Sequence, residues 1–410
     1  MRKVIAILII ILPIAIVAGL GWFFLLRDQT VPIGETVMGI LPFGSAGENA
    51  QQPTTDSSTS FGNTQDKPLE TDEFAKPTAD LFRLSGTPIA GFVVLKNGGK
   101  NIVRYVDRAT GHIYDVDLAT LEKTKISNQT LPKIYEAYFR ADGNAVLLRS
   151  LKGDSDEIDN LVLTLTPPKS TSTTHTISSN PLRGNISAVA VGSGNTLFYA
   201  LRDTSSVVSS TFGGTGTKTL LSYNFNNWRL TTAGNNLVIF PKASAGAQGH
   251  AYTLNTSSGA LKKVVGALNG LVVTPNPAGN RILYSYFENN QTRLFVKNLT
   301  NGKESEILPV TLAEKCVWST KNVEMFFCST PTESSTNLEL DNWYKGSTHF
   351  SDYIWRFDSK SETAQLLSEP KRSLDLDIDA TELKLSSNED YLIFKNKTDL
   401  SLWAIKLEPL

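Results

Sequence analysis

From residue 80 to the C-terminus one unit keeps returning: a short alternating strand, a tight turn of Gly, Asn or Asp, and a second strand with a longer apolar run. It reads "VVLKNGGKNIVRYV", then "AYFRADGNAVLLRS", "AVAVGSGNTLFYAL", "LTTAGNNLVIFPKA", "VVTPNPAGNRILYSY", "VWSTKNVEMFFCST" and "LKLSSNEDYLIFKN". The turns fall near Gly99, Asn144, Asn195, Asn235, Asn280, Asn322 and Asn388, at spacings of 45, 51, 40, 45, 42 and 66 residues. A hairpin repeated about every 40–50 residues is the signature of four-stranded propeller blades. A sheet of four short strands has two faces to bury, and a ring of similar sheets buries both.

A second marker follows within the unit. "DLATLEKTKI" from Asp117, "NTSSGALKKVV" from Asn255, "NLTNGKESEIL" from Asn298 and "DSKSETAQLL" from Asp358 each open on Asp or Asn and lead into an alternating strand. An Asx side chain caps such a turn by bonding backbone two residues on. This marker is expected to be the hairpin between the third and outermost strands. "DRATG", Asp107 to Gly111, fits the turn between strands two and three. The dense charge of Arg104, Asp107, Arg108, His112, Asp115 and Asp117 is therefore read as turn punctuation, not a catalytic cluster. In the third unit, "SSVVSSTFGGTGTKTLLSYNF" is either a hairpin turning at Gly213 and Gly214 or a long loop before a single strand.

Seven units are counted, and the last stops at a third strand, "LSLWAIKLEPL", while "ADLFRLS" stands unpaired ahead of the first. An open edge is a liability, so Leu81–Ser85 is expected to pair beside Leu400–Leu407 and close the ring. The expected fold is all-β: a seven-bladed β-propeller over residues 80–410, closed by an N-terminal strand.

The units resemble the loose repeats of bacterial propellers in the Tol-system periplasmic and WD-repeat-like class, with "RADGNAVLLRS" and "GHIYDVDLAT" the nearest matches. The Trp-Asp dipeptide of true WD repeats is absent from them. The resemblance implies a fold and a tendency to bind, not an activity.

The N-terminus has another character. Residues 4–26, "VIAILIIILPIAIVAGLGWFFLL", carry no charge, and about 20 apolar residues span a bilayer. Arg2 and Lys3 precede the run, so the positive-inside bias puts residues 1–3 in the cytoplasm and the remainder outside. A single transmembrane signal-anchor helix is expected; the rival is a signal peptide cut near Ala15 to Ala18. Residues 27–79 are polar and aperiodic and read as a disordered extracytoplasmic linker. Within it the more apolar Val31 to Gly44 is either a sticky juxtamembrane stretch or a docking peptide.

Lys and Arg number 39 against 40 Asp and Glu, which gives no polybasic surface for nucleic acid. No G-x-S-x-G elbow follows a strand, and the four His residues stand apart at 112, 175, 250 and 349. No cofactor motif is present. Asp375, Asp377 and Asp379 in "LDLDIDATELKL" would share one face of a strand; they are weak calcium candidates, since the run fails the EF-hand pattern. Cys316 and Cys328 flank the sixth turn and would face each other across two strands, within disulfide reach. The 66-residue spacing reflects an insertion, Ser329 to Asp352. It ends with Trp343, Tyr344, His349 and Phe350, residue types favoured at interfaces, and is expected either to bind a partner or to pack on the propeller's own face.

Three functions fit these features. The first is a membrane-anchored extracytoplasmic propeller that binds or scaffolds proteins of a cell-envelope complex. The second is a glycan-binding or glycan-cleaving propeller using its central pocket, for which a wall of paired carboxylates is the mark. The third is a structural surface protein without a specific ligand.

Overall fold

The computed structural model describes residues 80–153, 157–168, 173–225, 227–333 and 340–408. Residues 4–26, expected to be a transmembrane helix, and residues 27–79, expected to be a linker, lie outside them. No helix among the described residues is long and apolar enough to cross a membrane.

The chain starts with β1 (Leu81–Arg83). Blade one follows as β2 (Ile89–Asn97), β3 (Lys100–Asp107), β4 (Ile113–Asp117) and β5 (Lys123–Lys125). Blade two is β6 (Ile134–Phe139), β7 (Ala145–Leu151), β8 (Ile158–Thr166) and β9 (Thr176–Pro181). Blade three is β10 (Ile186–Val191), β11 (Thr196–Leu201), β12 (Ser206–Thr211) and β13 (Lys218–Ser222). Its last two strands form the hairpin at Gly213 and Gly214, the first of the two readings of that unit. Blade four is β14 (Trp228–Ala233), β15 (Asn236–Pro241), β16 (Gln248–Asn255) and β17 (Leu261–Asn269). Blade five is β18 (Val272–Pro275), β19 (Arg281–Glu288), β20 (Gln291–Asn298) and β21 (Glu304–Glu306). Blade six is β22 (Cys316–Trp318), β23 (Met325–Pro331), β24 (Asp352–Asp358) and β25 (Thr363–Ser368). Blade seven has β26 (Ala380–Leu385), β27 (Tyr391–Asn396) and β28 (Leu402–Lys406).

Each blade is an antiparallel four-stranded sheet in chain order, and the seventh runs β1-β28-β27-β26. There Leu81 pairs with Ile405, Phe82 with Ala404 and Arg83 with Trp403. The described residues thus form an all-β, seven-bladed propeller.

The core lies between blades. Second strands such as "NLVIFP" and "YLIFKN" are apolar almost throughout because both faces of each sheet are covered, which removes polar alternation. Phe139, Val146 and Leu163 of blade two meet Val106 and Ile113 of blade one. Blade seven fills two such seams: Leu392, Phe394 and Ile405 pack on Phe327 and Ile354 of blade six, while Ile393 and Ala404 pack on Phe92 and Tyr105 of blade one. With its period of two, β1 sends Leu81 into the first seam and Phe82 into the second. Outermost strands are short or polar, as in "KTK", "ESE" and the exposed "TISSNP", which blunts their free edges.

Two stretches differ from expectation. Leu374 to Asp379 is not a strand. Pro370 starts a short helix, α2 (Pro370–Leu374), and Asp375 ends it in the left-handed conformation at φ 53°, so β26 begins only at Ala380. Proline at the first helical position is preorganised for a helix, and that breaks the alternation the Asp residues suggested. The blade-six insertion holds a helix of its own, α1 (Leu340–Lys345), between β23 and β24.

Candidate functional site

Because strands alternate in direction, the turns from second to third strand and the blade connections emerge on one face. On that face α1 is fastened to its surroundings, and the fastening centres on a lysine. Lys315 ends a single 3-10 turn just before β22 and is fully buried. Its Nζ donates to Asp352 Oδ1 at 3.0 Å and to Asp379 Oδ1 at 2.7 Å. Asp352 opens β24 and its Oδ2 also accepts from the Ala380 N–H at 2.7 Å. Asp379 Oδ2 accepts from the Trp343 indole N–H at 2.8 Å and from the Phe350 N–H at 3.2 Å. A buried carboxylate is costly unless paired and hydrogen-bonded; here both are.

Aromatic rings close the site. The ring of Phe350 lies 4.9 Å from Lys315 Nζ and stacks on Trp343 at 6.2 Å and 13°. Lys397 sits 4.8 Å from the Trp343 ring and donates to the Trp343 carbonyl at 2.6 Å. Tyr344 donates its hydroxyl to Glu314, and Asp341 accepts from the Ala245 N–H at 3.1 Å. The helix therefore bridges blade four, the segment before blade six, and blade seven.

Charge here is tuned by enclosure. Burial pushes Asp352 up to about 6, with Lys315 opposing and Asp379 adding to the rise. Burial works against the Lys315 ammonium, yet Asp352 and Asp379 outweigh it and hold its pKa above the usual value. Burial raises Glu314 and lowers Lys397.

The expected interface residues fall at different depths. Trp343 is 3 % exposed and faces inward. Tyr344 and Phe350 are half-buried. The His349 side chain is 39 % exposed, its Nδ1 3.9 Å from Asp379 Oδ2. His349 and Phe350 border a depression of about 360 Å³ with Thr332, Glu333 and Asp377.

Of the calcium candidates, Asp375 and Asp377 lie outside and share Lys371, each at 3.0 Å, while Asp379 turns inward to Lys315. The three do not converge, since α2 replaces the strand that would have aligned them. Among the described residues no group of three or more His, Cys, Asp or Glu is placed to hold a metal ion. Cys316 and Cys328 are directly opposed, with Cα atoms 4.1 Å apart, and are joined as a disulfide. Arg104 clamps Asp115 through two bonds of 2.7 Å, and Asp107 and Asp117 accept from the Thr110 and Ala119 N–H groups. Those acids serve turns and strand pairing.

Sequence reasoning missed Lys315, Glu314, Asp352 and Lys397. One signal was available: the adjacent Glu314 and Lys315 inside "VTLAEKCVW", a run whose flanking residues are mostly apolar.

No known protein family matches the chain, and no curated protein matches it in sequence. Solved structures match its fold. An oligogalacturonate lyase from Vibrio parahaemolyticus is 10 % identical over 80 % of this chain and 93 % of its own, with a TM-score of 0.53. Virginiamycin B lyase from Staphylococcus aureus is 12 % identical over 80 % of this chain and 98 % of its own, with a TM-score of 0.50. TolB from Acinetobacter baumannii is 11 % identical over 68 % of this chain and 63 % of its own, with a TM-score of 0.42. The chain is similar to bacterial propellers at the level of fold.

Proposed function

We propose that this protein is a membrane-anchored extracytoplasmic propeller that binds or scaffolds proteins of a cell-envelope complex, with its N-terminal strand holding the ring shut. The observation that carries this reading is the blade-six insertion, fastened to its own face by Lys315, Asp352 and Asp379. A segment held in one conformation loses less entropy on binding than a free loop. Trp343 then serves as the anchor inside, and His349, Phe350 and Tyr344 border the contact surface.

Other features support it. The uncharged run 4–26 is long enough to span a bilayer. A disulfide suits an oxidising compartment. On the innermost strands, Glu136 pairs with Arg149 and Glu382 with Lys395; each carboxylate has its own cation, unlike the paired acids of a glycan-cleaving centre.

The test is photo-cross-linking in native membranes, with the photoreactive residue replacing His349. A discrete adduct, absent when the same residue replaces Lys303 on the opposite face, is expected. Equal labelling from both positions, or none from His349, would remove the reading.

A further inference from the structure

A second recess lies away from this face, between the outer halves of blades four and five. It measures about 350 Å³ and is bordered by Lys263, Val265 and Leu268 of β17, Tyr286 of β19, Lys297 of β20 and Glu304 of β21. The backbone opens it. β17 slips register against β16 twice, between Gly249 and His250 and between Ala251 and Tyr252. Beside these slips Ala267 takes a φ of 56°, and its N–H is held by His250 Nδ1 at 3.1 Å. A Cβ on Gly266 would stand 2.2 Å from that same Nδ1, so any larger residue there would push the His250 ring aside. Bulges of this kind bend a strand and re-aim its side chains, often beside sites.

The floor of the recess is aromatic. Tyr284, Tyr286 and Phe295 are mutually stacked, with centroids 5.5–6.2 Å apart and ring planes within 20°. Tyr284 is buried and donates to Glu304 Oε2 at 3.1 Å. Tyr286 is half-buried, and its hydroxyl has no hydrogen-bond partner among the described residues. At the rim, Lys297 and Glu304 form an ion pair at 3.3 Å, with Lys263 on the opposite wall.

We propose that this recess binds a neutral sugar ring of a glycan. The apolar C–H face of a pyranose matches a tyrosine ring. Each vicinal diol offers a donor and an acceptor side by side, which the adjacent Glu304 carboxylate and Lys297 ammonium satisfy together. Lys297 and Glu304 cancel in charge beside the stacked rings, so what they present there is hydrogen-bonding atoms for neutral hydroxyls rather than a site built around an anion. The volume is near the lower end of ligand pockets, roughly 300–1,000 Å³, and so suits one or two sugar units. The site is independent of the blade-six insertion and of the partner reading above.

Saturation-transfer difference NMR on the intact propeller tests it. The probes are methyl glycosides of glucose, galactose, mannose and N-acetylglucosamine, with glucuronate and galacturonate as acidic counterparts. At least one neutral glycoside should show transfer to its ring protons. Tyr286→Ala should weaken that binding at least about tenfold, equivalent to about 1.4 kcal/mol. Tyr286→Phe, which keeps the ring and disturbs folding least, should lose less than threefold. Tyr223→Ala, at an exposed tyrosine of another blade, should change nothing. No transfer to any neutral sugar, transfer to acidic sugars alone, or neutral binding indifferent to Tyr286→Ala would each overturn the proposal.

Discussion

Lys315 and Asp379 lie 64 positions apart in the chain yet meet at 2.7 Å, both fully enclosed. One precedes the innermost strand of blade six and the other that of blade seven, so their bond crosses the seam between blades. Together with Asp352 they form a small charged core at the seam between blades six and seven.

Removing the cation alone should be costly. Lys315→Met leaves two enclosed carboxylates without their partner, and breaking a buried pair in this way costs about 3–5 kcal/mol. Replacing Asp352 and Asp379 with Leu in the same chain should recover only part of the loss, because it removes the unpaired charges but leaves the Ala380, Phe350 and Trp343 N–H donors without acceptors. Urea unfolding of both variants against wild type is the check.

The pH dependence has a definite sign. Asp352 is held at about 6 in the folded protein, mainly by burial, against about 3.9 in an unfolded chain. The folded state therefore binds this proton more tightly. The group's contribution to stability is greatest below about pH 4 and declines as pH rises towards 6. Asp352→Asn removes that decline, so its stability should rise more steeply with pH than wild type across pH 4–6. Parallel profiles for the two proteins would mean that Asp352 titrates normally.

Closure is tested at β1. Phe82 is buried in the seam between blades seven and one, and Phe→Ala in a core costs about 3–5 kcal/mol. Deleting residues 80–85 should cost more and expose β28 as a free edge that pairs with other molecules. Light scattering should then show association that the point variant lacks.

The disulfide spans 12 positions. For so short a loop the chain-entropy account assigns about 3 kcal/mol. The Cys316→Ala, Cys328→Ala double variant should unfold earlier by that amount. Mass spectrometry should show a gain of two hydrogens when wild type is reduced, and two alkylatable thiols before reduction would contradict the bond.

Much of the fold was legible because a blade writes itself in local chemistry. The Gly, Asn and Asp markers from Gly99 to Asn388 each fall in or beside the turn of an innermost hairpin, and Asp117, Asn255, Asn298 and Asp358 each cap a later one by accepting backbone N–H bonds. The site was harder to see. Asp379 looked like one rung of a solvated acidic ladder, and only the turn at Asp375 aims it inward. Lys315, Asp352 and Asp379 come together through blade packing, which no local spacing encodes. Trp343 has the chemistry of an interface residue and of an anchor alike, and burial is what separates them.

The account rests most heavily on the insertion being held against its face. Amide hydrogen exchange of residues 340–351, read by mass spectrometry in wild type and in Trp343→Phe, addresses this directly. The N–H of Phe350, bonded to Asp379, and those of α1 should be protected in wild type and exchange faster when the indole donor is lost. Exchange at the rate of an unstructured peptide in the wild-type protein would contradict it.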